Sequence, residues 1–412
     1  MAAIVVEWTG SHKVELIAKR YRGMQPSATV AMTFLAQELK RQGRNIISLT
    51  AGEPDFPTPL HIRLAGERAI QSGASRYAPP AGIVELREAI RAKFRRDNGL
   101  EYELDEITVG CGGKQLIFNA FMATIEQGDE VIVPSPHWVS FVDAAAIFGA
   151  KPVSVVCSAE AGFKLQPEDL EAAITERTKW LVLCSPSNPT GAVYSADELR
   201  EIGEVLRRHS QVLVLTDHIY EHLAYDGPAP VLAQVCPEFR DRGIIVNGLS
   251  KGYCMTGWRV GFCAGPKRLV EVMNAIQSQS TTSTSTISQW AAVAALAGDQ
   301  GFIVENNKEY VRRRDLVVDA LNGIDGIECV GPAGAFYAYP ACAGLIGRRT
   351  PAGEILGEDL DVVRYLLDAA GVAVVHGAAF GMSPHFRLAY SASYDELQEA
   401  CRRIADAVSA LR

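Results

Sequence analysis

A lysine stands just beyond a short apolar run. Ile244-Ile245-Val246 reads as a buried strand, and Ser250, Lys251 and, further on, Arg259 follow it. A lysine at the end of a buried strand is partly desolvated, which favours the neutral amine and makes it a nucleophile. A hydroxyl and a guanidinium close by in sequence suit phosphate oxygens. Gly252, Gly257 and Gly261 keep the backbone open around them. An arbitrary Ser-Lys pair is usually a surface feature. This one gains weight because other reactive side chains stand at the same place relative to other strands.

Gly112-Gly113-Lys114 joins Ile107-Thr108-Val109 to an apolar helix over 115–125. Backbone N–H groups at a helix start bind phosphate, although the same residues also make a tight packing turn. A P-loop is excluded, since Thr108 occupies the earlier glycine position and Gln115 the Ser/Thr position. Asn188 lies in Ser185-Pro186-Ser187-Asn188-Pro189-Thr190-Gly191 after the run 180–184, where the turn either holds its amide over the sheet edge or is merely rigid. Asp217 follows the run 212–216. A carboxylate there either caps a helix or keeps a pyridinium nitrogen protonated, making the ring an electron sink. Trp138 either stacks on a planar cofactor or fills core. Arg387, within the apolar Phe386-Arg387-Leu388-Ala389, needs an anion: a substrate carboxylate or a salt-bridge partner. A nucleophilic lysine, a phosphate site and a ring-nitrogen carboxylate together are what pyridoxal phosphate requires. One motif competes. His218-Ile219-Tyr220-Glu221-His222 matches a zinc-peptidase pattern, which needs both histidines on one face of a long helix.

The positions follow from the elements. Strand-like runs at 107–109, 130–133, 180–184, 212–216 and 244–246 alternate with helical patterns at 115–125, 138–148 and 196–208. Continuous apolar strands alternating with helices predict an α/β fold whose mostly parallel sheet is covered on both faces. Such sheets bind ligands beyond the strand ends. Helices are expected over 27–40 (Ser27 as cap), 60–72 and 83–97, with a strand at 46–49. The loop Thr50–Pro59 is stiffened by Pro54, Pro57 and Pro59. Residues 278–288 are a hydroxyl-rich loop and 289–322 a long helical stretch. Residues 327–340 and 371–390 read as strands and turns of a smaller α+β domain, and 394–411 as a terminal helix. The expected division is 1–58 as N-terminal segment and part of the small domain, 59–300 as cofactor domain, and 301–412 as small domain.

The 412 residues carry a net charge of −8 and are 48% hydrophobic and 21% charged, a globular balance without the basic footprint of a nucleic-acid binder. No apolar run is long enough to span a membrane. Glu7 and Glu15 interrupt the first twenty residues, so no signal peptide is read there. Nine dispersed cysteines read as reduced thiols of a cytoplasmic protein.

In their order, several stretches resemble the class I, fold-type I aminotransferases from about Tyr21 onward, and among these the bacterial aspartate and aspartate/prephenate group. They are Pro26-Ser27-Ala28-Thr29-Val30, Leu49-Thr50-Ala51-Gly52-Glu53-Pro54-Asp55-Phe56, Arg76-Tyr77-Ala78-Pro79-Pro80-Ala81-Gly82, Gly112-Gly113-Lys114-Gln115, Ser187-Asn188-Pro189-Thr190-Gly191, Ser250-Lys251 through Gly257-Trp258-Arg259, and Phe386-Arg387. The resemblance implies a seven-stranded-type sheet with a small domain built from both chain ends. It also implies pyridoxal 5'-phosphate as cofactor and ping-pong exchange between an amino acid, acidic or aromatic, and a 2-oxo acid. No metal is implied. Lys251 would bond the cofactor, Asp217 face the ring nitrogen, Asn188 and Tyr220 bind the ring oxygen, and Trp138 stack on the ring. Gly112, Gly113, Lys114, Ser250 and Arg259 would surround the phosphate. Tyr77 would reach a neighbouring subunit's phosphate, making a homodimer with its interface near Thr282. Arg387, the Gly52 backbone and Asn188 would hold the α-carboxylate, with Trp138 beside them and Lys114 approaching a distal carboxylate. Gln25, His137, His218 and His376 depart from the group's usual residues, and all four are expected near the pocket. A lyase or decarboxylase on the same scaffold and the zinc hydrolase stand as alternatives.

Overall fold

The computed structural model describes Ala18, Tyr21 and residues 27–412. The N-terminal extension, Gln25 and Pro26 lie outside the described residues. Seven strands form the main sheet. From one edge they run Ile107–Gly110, Gly261–Ala264, Gly243–Gly248, Leu213–Asp217, Thr178–Cys184, Glu130–Ser135 and Lys151–Val156. All neighbours pair in parallel except Gly261–Ala264, which is antiparallel to both strands beside it. The sheet is therefore mostly parallel.

Alternate residues of each strand enter different cores, which is why the strands read as continuous apolar runs. Trp180, Val182, Ile244 and Val246 pack with Leu116, Phe121 and Phe141 of the helices Gly113–Thr124 and Val139–Ile147. Leu181 and Leu183 pack on the other face with Ile202 and Val205 of Ala196–Arg207, and Ile245 joins Ile62, Leu86 and Ala291. Ala196–Arg207 begins with a capping box, Ser195 accepting from the Glu198 N–H while Glu198 reaches back.

A three-stranded antiparallel sheet orders Val375–His376, Phe386–Ala389 and Tyr337–Ala338. Beside it Ile47–Ser48 pairs in parallel with Val372–Ala373, so the two ends of the chain share one α+β unit. Its core includes the helices Gly301–Asn322 and Tyr394–Ser409, the latter opened by a Ser393/Glu396 capping box.

Some expectations change. Ser27 makes no side-chain cap bond to the helix Ala28–Arg41. The stretch 289–322 is two helices, Thr286–Ala297 and Gly301–Asn322, parted at Gly298. Several elements escaped the sequence reading, among them Lys151–Val156, Pro167–Ala173, Gly261–Ala264, Lys267–Ser278 and the helix Asp359–Tyr365. The hydroxyl-rich run is more than a solvated loop, because Thr284 donates to the Arg259 carbonyl at 2.8 Å and Thr286 to that of Arg76 at 2.6 Å. Among the described residues no helix is long and apolar enough to cross a membrane.

Candidate active site

Topology collects the reactive residues at one edge of the main sheet. The parallel strands end there at Ser135, Cys184, Asp217 and Gly248, delivering Trp138, Asn188, Asp217 and the Ser250-Lys251 pair. Ile107–Gly110 ends at the same edge and delivers Gly112-Gly113-Lys114. The antiparallel strand starts there, Gly261 pairing with both Gly110 and Gly248, so Arg259 arrives from the opposite chain direction.

These side chains line one cleft of about 310 Å³. It contains Gly52, Gly113, Lys114, Trp138, Asn188, Asp217, Tyr220, Ser250, Lys251, Arg259 and Arg387. Gly112 lies directly behind it. At φ +86° a Cβ on this residue would sit 2.5 Å from the Arg259 guanidinium, so only glycine lets the arginine close over the start of the helix Gly113–Thr124. Arg259 is itself left-handed, at φ +56°, and donates to the carbonyls of Thr256 (2.8 Å) and Cys111 (3.3 Å). Tyr77 is not in this cleft; it is 93% exposed.

Lys251 Nζ donates to the Gly52 carbonyl at 2.5 Å, and burial pulls its ammonium down to about 8, against the upward pull of Glu53. Asp217 accepts from the Ile219 N–H at 3.2 Å and caps no α-helix. Burial pushes its carboxyl up to about 6, with that N–H and Lys251 opposing the rise. Lys114 Nζ stands 4.7 Å from the Trp138 ring centroid, its pKa lowered by burial and by Arg259. Arg387 is 2% exposed. Its fork donates to Asn188 Oδ1 (2.9 Å) and to the Thr50 carbonyl (2.7 Å), its face lies against the rings of Tyr337 and Phe380, and Nε has no partner. No carboxylate among the described residues pairs with it, so the salt-bridge reading lapses. A buried guanidinium without a counter-anion costs several kcal/mol, and an anion entering the cleft offsets that cost.

The zinc pattern does not form its helix: Glu221–Leu223 is a single 3₁₀ turn. Asp97, Glu221 and His222 do converge, but the fully buried ammonium of Lys93 ion-pairs with Glu221 and donates to Asn98 Oδ1 at 2.8 Å. Burial raises the Glu221 carboxyl, and Lys93, His222 and His218 together hold it below the usual carboxylate range. His218 is 1% exposed and faces Glu221 at 3.7 Å, away from the cleft. None of the three described histidines that depart from the group's usual residues forms part of the cleft wall itself, although His137 and His218 are sequence neighbours of the lining residues Trp138 and Asp217. His137 turns into a neighbouring cavity with Phe163 and Tyr194, and His376 is also absent from the cleft wall. Burial lowers the pKa of all three histidines. The sequence reading missed Glu53 and Tyr337, which do line the cleft.

A desolvated amine, a buried carboxylate across from it, an aromatic wall and a glycine cradle closed by an arginine make a donor set that fits pyridoxal phosphate. The comparisons agree. Residues 44–404 match the family described as aminotransferase class I and II. The chain is 52% identical over 382 residues to a probable aspartate/prephenate aminotransferase of Rhizobium leguminosarum bv. phaseoli, covering 92% of this chain and 96% of that one. It is similar to the crystal structure of an aspartate aminotransferase from Rhizobium meliloti (TM-score 0.94, 49% identity, 96% of this chain and 99% of that one). It is also similar to the Thermus thermophilus aspartate aminotransferase solved with maleate (TM-score 0.89, 42% identity, 95% and 99%). The chain belongs to the class I and II aminotransferases and is a transaminase that works with pyridoxal 5'-phosphate.

Proposed function

We propose that this transaminase prefers acidic amino donors and their 2-oxo acids, and that it works as a homodimer. The observation carrying the preference is that two cationic side chains, Arg387 and Lys114, line the same cleft as Lys251 and Asp217. With Arg259 assigned to the phosphate and Lys251 to the cofactor, the two remaining cations of the cleft suit two carboxylates. The Thermus relative was solved with maleate, a dicarboxylate.

Bound pyridoxal phosphate supplies an aldehyde that condenses with an amine and a ring that accepts an electron pair. Around it, Gly112, Gly113, Ser250 and Arg259 hold the phosphate, with Lys114 nearby. Trp138 covers the ring face and keeps water off it. Asn188 and Tyr220 bind the ring oxygen. Asp217, ionised at neutral pH despite its raised pKa, holds the proton on the ring nitrogen. Lys251, whose lowered pKa leaves part of the amine free near neutral pH, would bond the cofactor and would serve as the base for the substrate's α-proton. Arg387 orients the α-carboxylate with two parallel donors, and Gly52 lies beside it. The same residues act first on the amino acid and then, in reverse, on the 2-oxo acid.

Donor preference is the test. Aspartate or glutamate should outperform alanine and phenylalanine with 2-oxoglutarate or oxaloacetate as acceptor. Lys114→Ala should cut kcat/KM for the acidic donors by roughly 10- to 150-fold, the worth of a charged hydrogen bond, and spare the neutral ones. Equal losses would assign Lys114 to the phosphate or the fold alone. A wild type indifferent to acidic donors would remove the acidic preference and leave the transaminase.

The dimer rests on Tyr77 and on an open groove of about 700 Å³ that runs from Lys114 and Arg259 over Phe118 and Met122, both exposed apolar residues. A second copy covering this groove, with Tyr77 in the role the family resemblance implies, would complete the phosphate site. Light scattering should give twice the 44.6 kDa chain mass, and Tyr77→Phe should weaken cofactor retention about tenfold without splitting the assembly. A fully active monomer would contradict this.

A further inference from the structure

Tyr337 is fully buried on the short strand Tyr337–Ala338, in the chain-end unit, yet it reaches the cleft wall. Three contacts meet on it. Its Oη lies 2.8 Å from Tyr220 Oη. The Arg387 guanidinium carbon stands 4.6 Å from its ring centroid. A Cβ at Gly52 would fall 2.6 Å from its hydroxyl, so the absence of a side chain at residue 52 is what lets the phenol approach.

Either phenol can donate in this pair, and hydrogen-bond counting decides the direction once Tyr220 is committed to the cofactor. Burial raises both phenols, Tyr220 well above its ordinary pKa, so each is neutral and carries one proton. If Tyr220 gives its proton to the cofactor's ring oxygen, it has none left for Tyr337. The 2.8 Å contact then requires Tyr337 to donate to Tyr220. A phenol whose oxygen accepts a hydrogen bond is a stronger donor through its own proton. The guanidinium over the Tyr337 ring draws on its electrons and strengthens the relay further.

We propose that Tyr337 is a positioning residue that holds the Tyr220 phenol and strengthens its hydrogen bond to the cofactor's ring oxygen, linking the carboxylate-binding arginine to the ring. The inference rests on the reading of Tyr220 given above. A strong donor stabilises negative charge on the ring oxygen, so weakening it keeps a proton on the neighbouring nitrogen to higher pH.

The test is a pH titration of the visible absorption band of the holoenzyme. Tyr337→Phe keeps the ring under Arg387 and removes only the hydroxyl. Its midpoint should rise by roughly half a pH unit, with cofactor content and melting temperature near wild type. Tyr220→Phe should raise the midpoint further, and the double variant should match Tyr220→Phe alone. An unmoved midpoint in Tyr337→Phe, or a shift that persists in full on top of Tyr220→Phe, would overturn the inference while leaving the cofactor site as read. An unmoved midpoint in Tyr220→Phe itself would remove the reading of Tyr220 and this inference with it.

Discussion

Replacing Lys251 by alanine is expected to lower transamination turnover by about 10⁴-fold or more while leaving the fold in place. Proton transfer by a positioned side chain is worth about 10²–10⁴-fold, and in the proposed mechanism this residue also provides the amine that bonds the cofactor. The fold should tolerate the change because the Lys251 amine makes a single hydrogen bond, to the Gly52 carbonyl, and removing a buried amine also removes its desolvation penalty. The close approach of Arg259 to Gly112, proposed as the phosphate cradle, does not depend on it. Single-turnover kinetics together with thermal melting separate the two effects. A variant that melts like wild type but keeps more than about a hundredth of its turnover would mean that another group moves the proton.

Arg387→Ala is expected to cost every donor, acidic or neutral, about 2–5 kcal/mol, which is roughly a 30- to 5,000-fold loss in kcat/KM. The arginine is buried, two of its nitrogens are oriented by Asn188 and Thr50, and Nε has no partner. Arg387→Lys should recover little, since an ammonium is a point charge that cannot present parallel donors to a carboxylate. Stability provides an independent reading. Were Arg387 half of a structural ion pair, truncation would destabilise the fold by about 3–5 kcal/mol. With no carboxylate beside it, the denaturant midpoint should hold or rise, and a drop of that size would contradict the assignment.

What the sequence made legible follows from the sheet. Lys251, Asp217 and Asn188 each follow a continuous apolar run, and a parallel sheet brings such strand ends to one edge. Arg259 was legible as a neighbour of the lysine, although its approach from an antiparallel strand was not. Lys151–Val156 went unread because it is an edge strand, half exposed and carrying Pro152, so the apolar pattern is missing. Tyr337 escaped because nothing near it in sequence marks it. It meets Tyr220, Arg387 and Gly52 only after the chain-end strands pair. The zinc pattern failed for the opposite reason: the local spacing was right, but the segment forms a short turn beside Lys93. For the histidines at 137, 218 and 376 the sequence placed the backbone near the site but did not say which way each side chain turns, and none of them joins the cleft wall.

The central claim is that Lys251 is the residue that bonds pyridoxal phosphate. Borohydride reduction of the wild-type holoenzyme, followed by proteolysis and mass spectrometry of the labelled peptides, tests it directly. Loss of the visible band and one modified peptide, with the cofactor mass on Lys251, are expected. A modification on another lysine such as Lys114, or an unmodified Lys251 in protein that has lost its band, would contradict it.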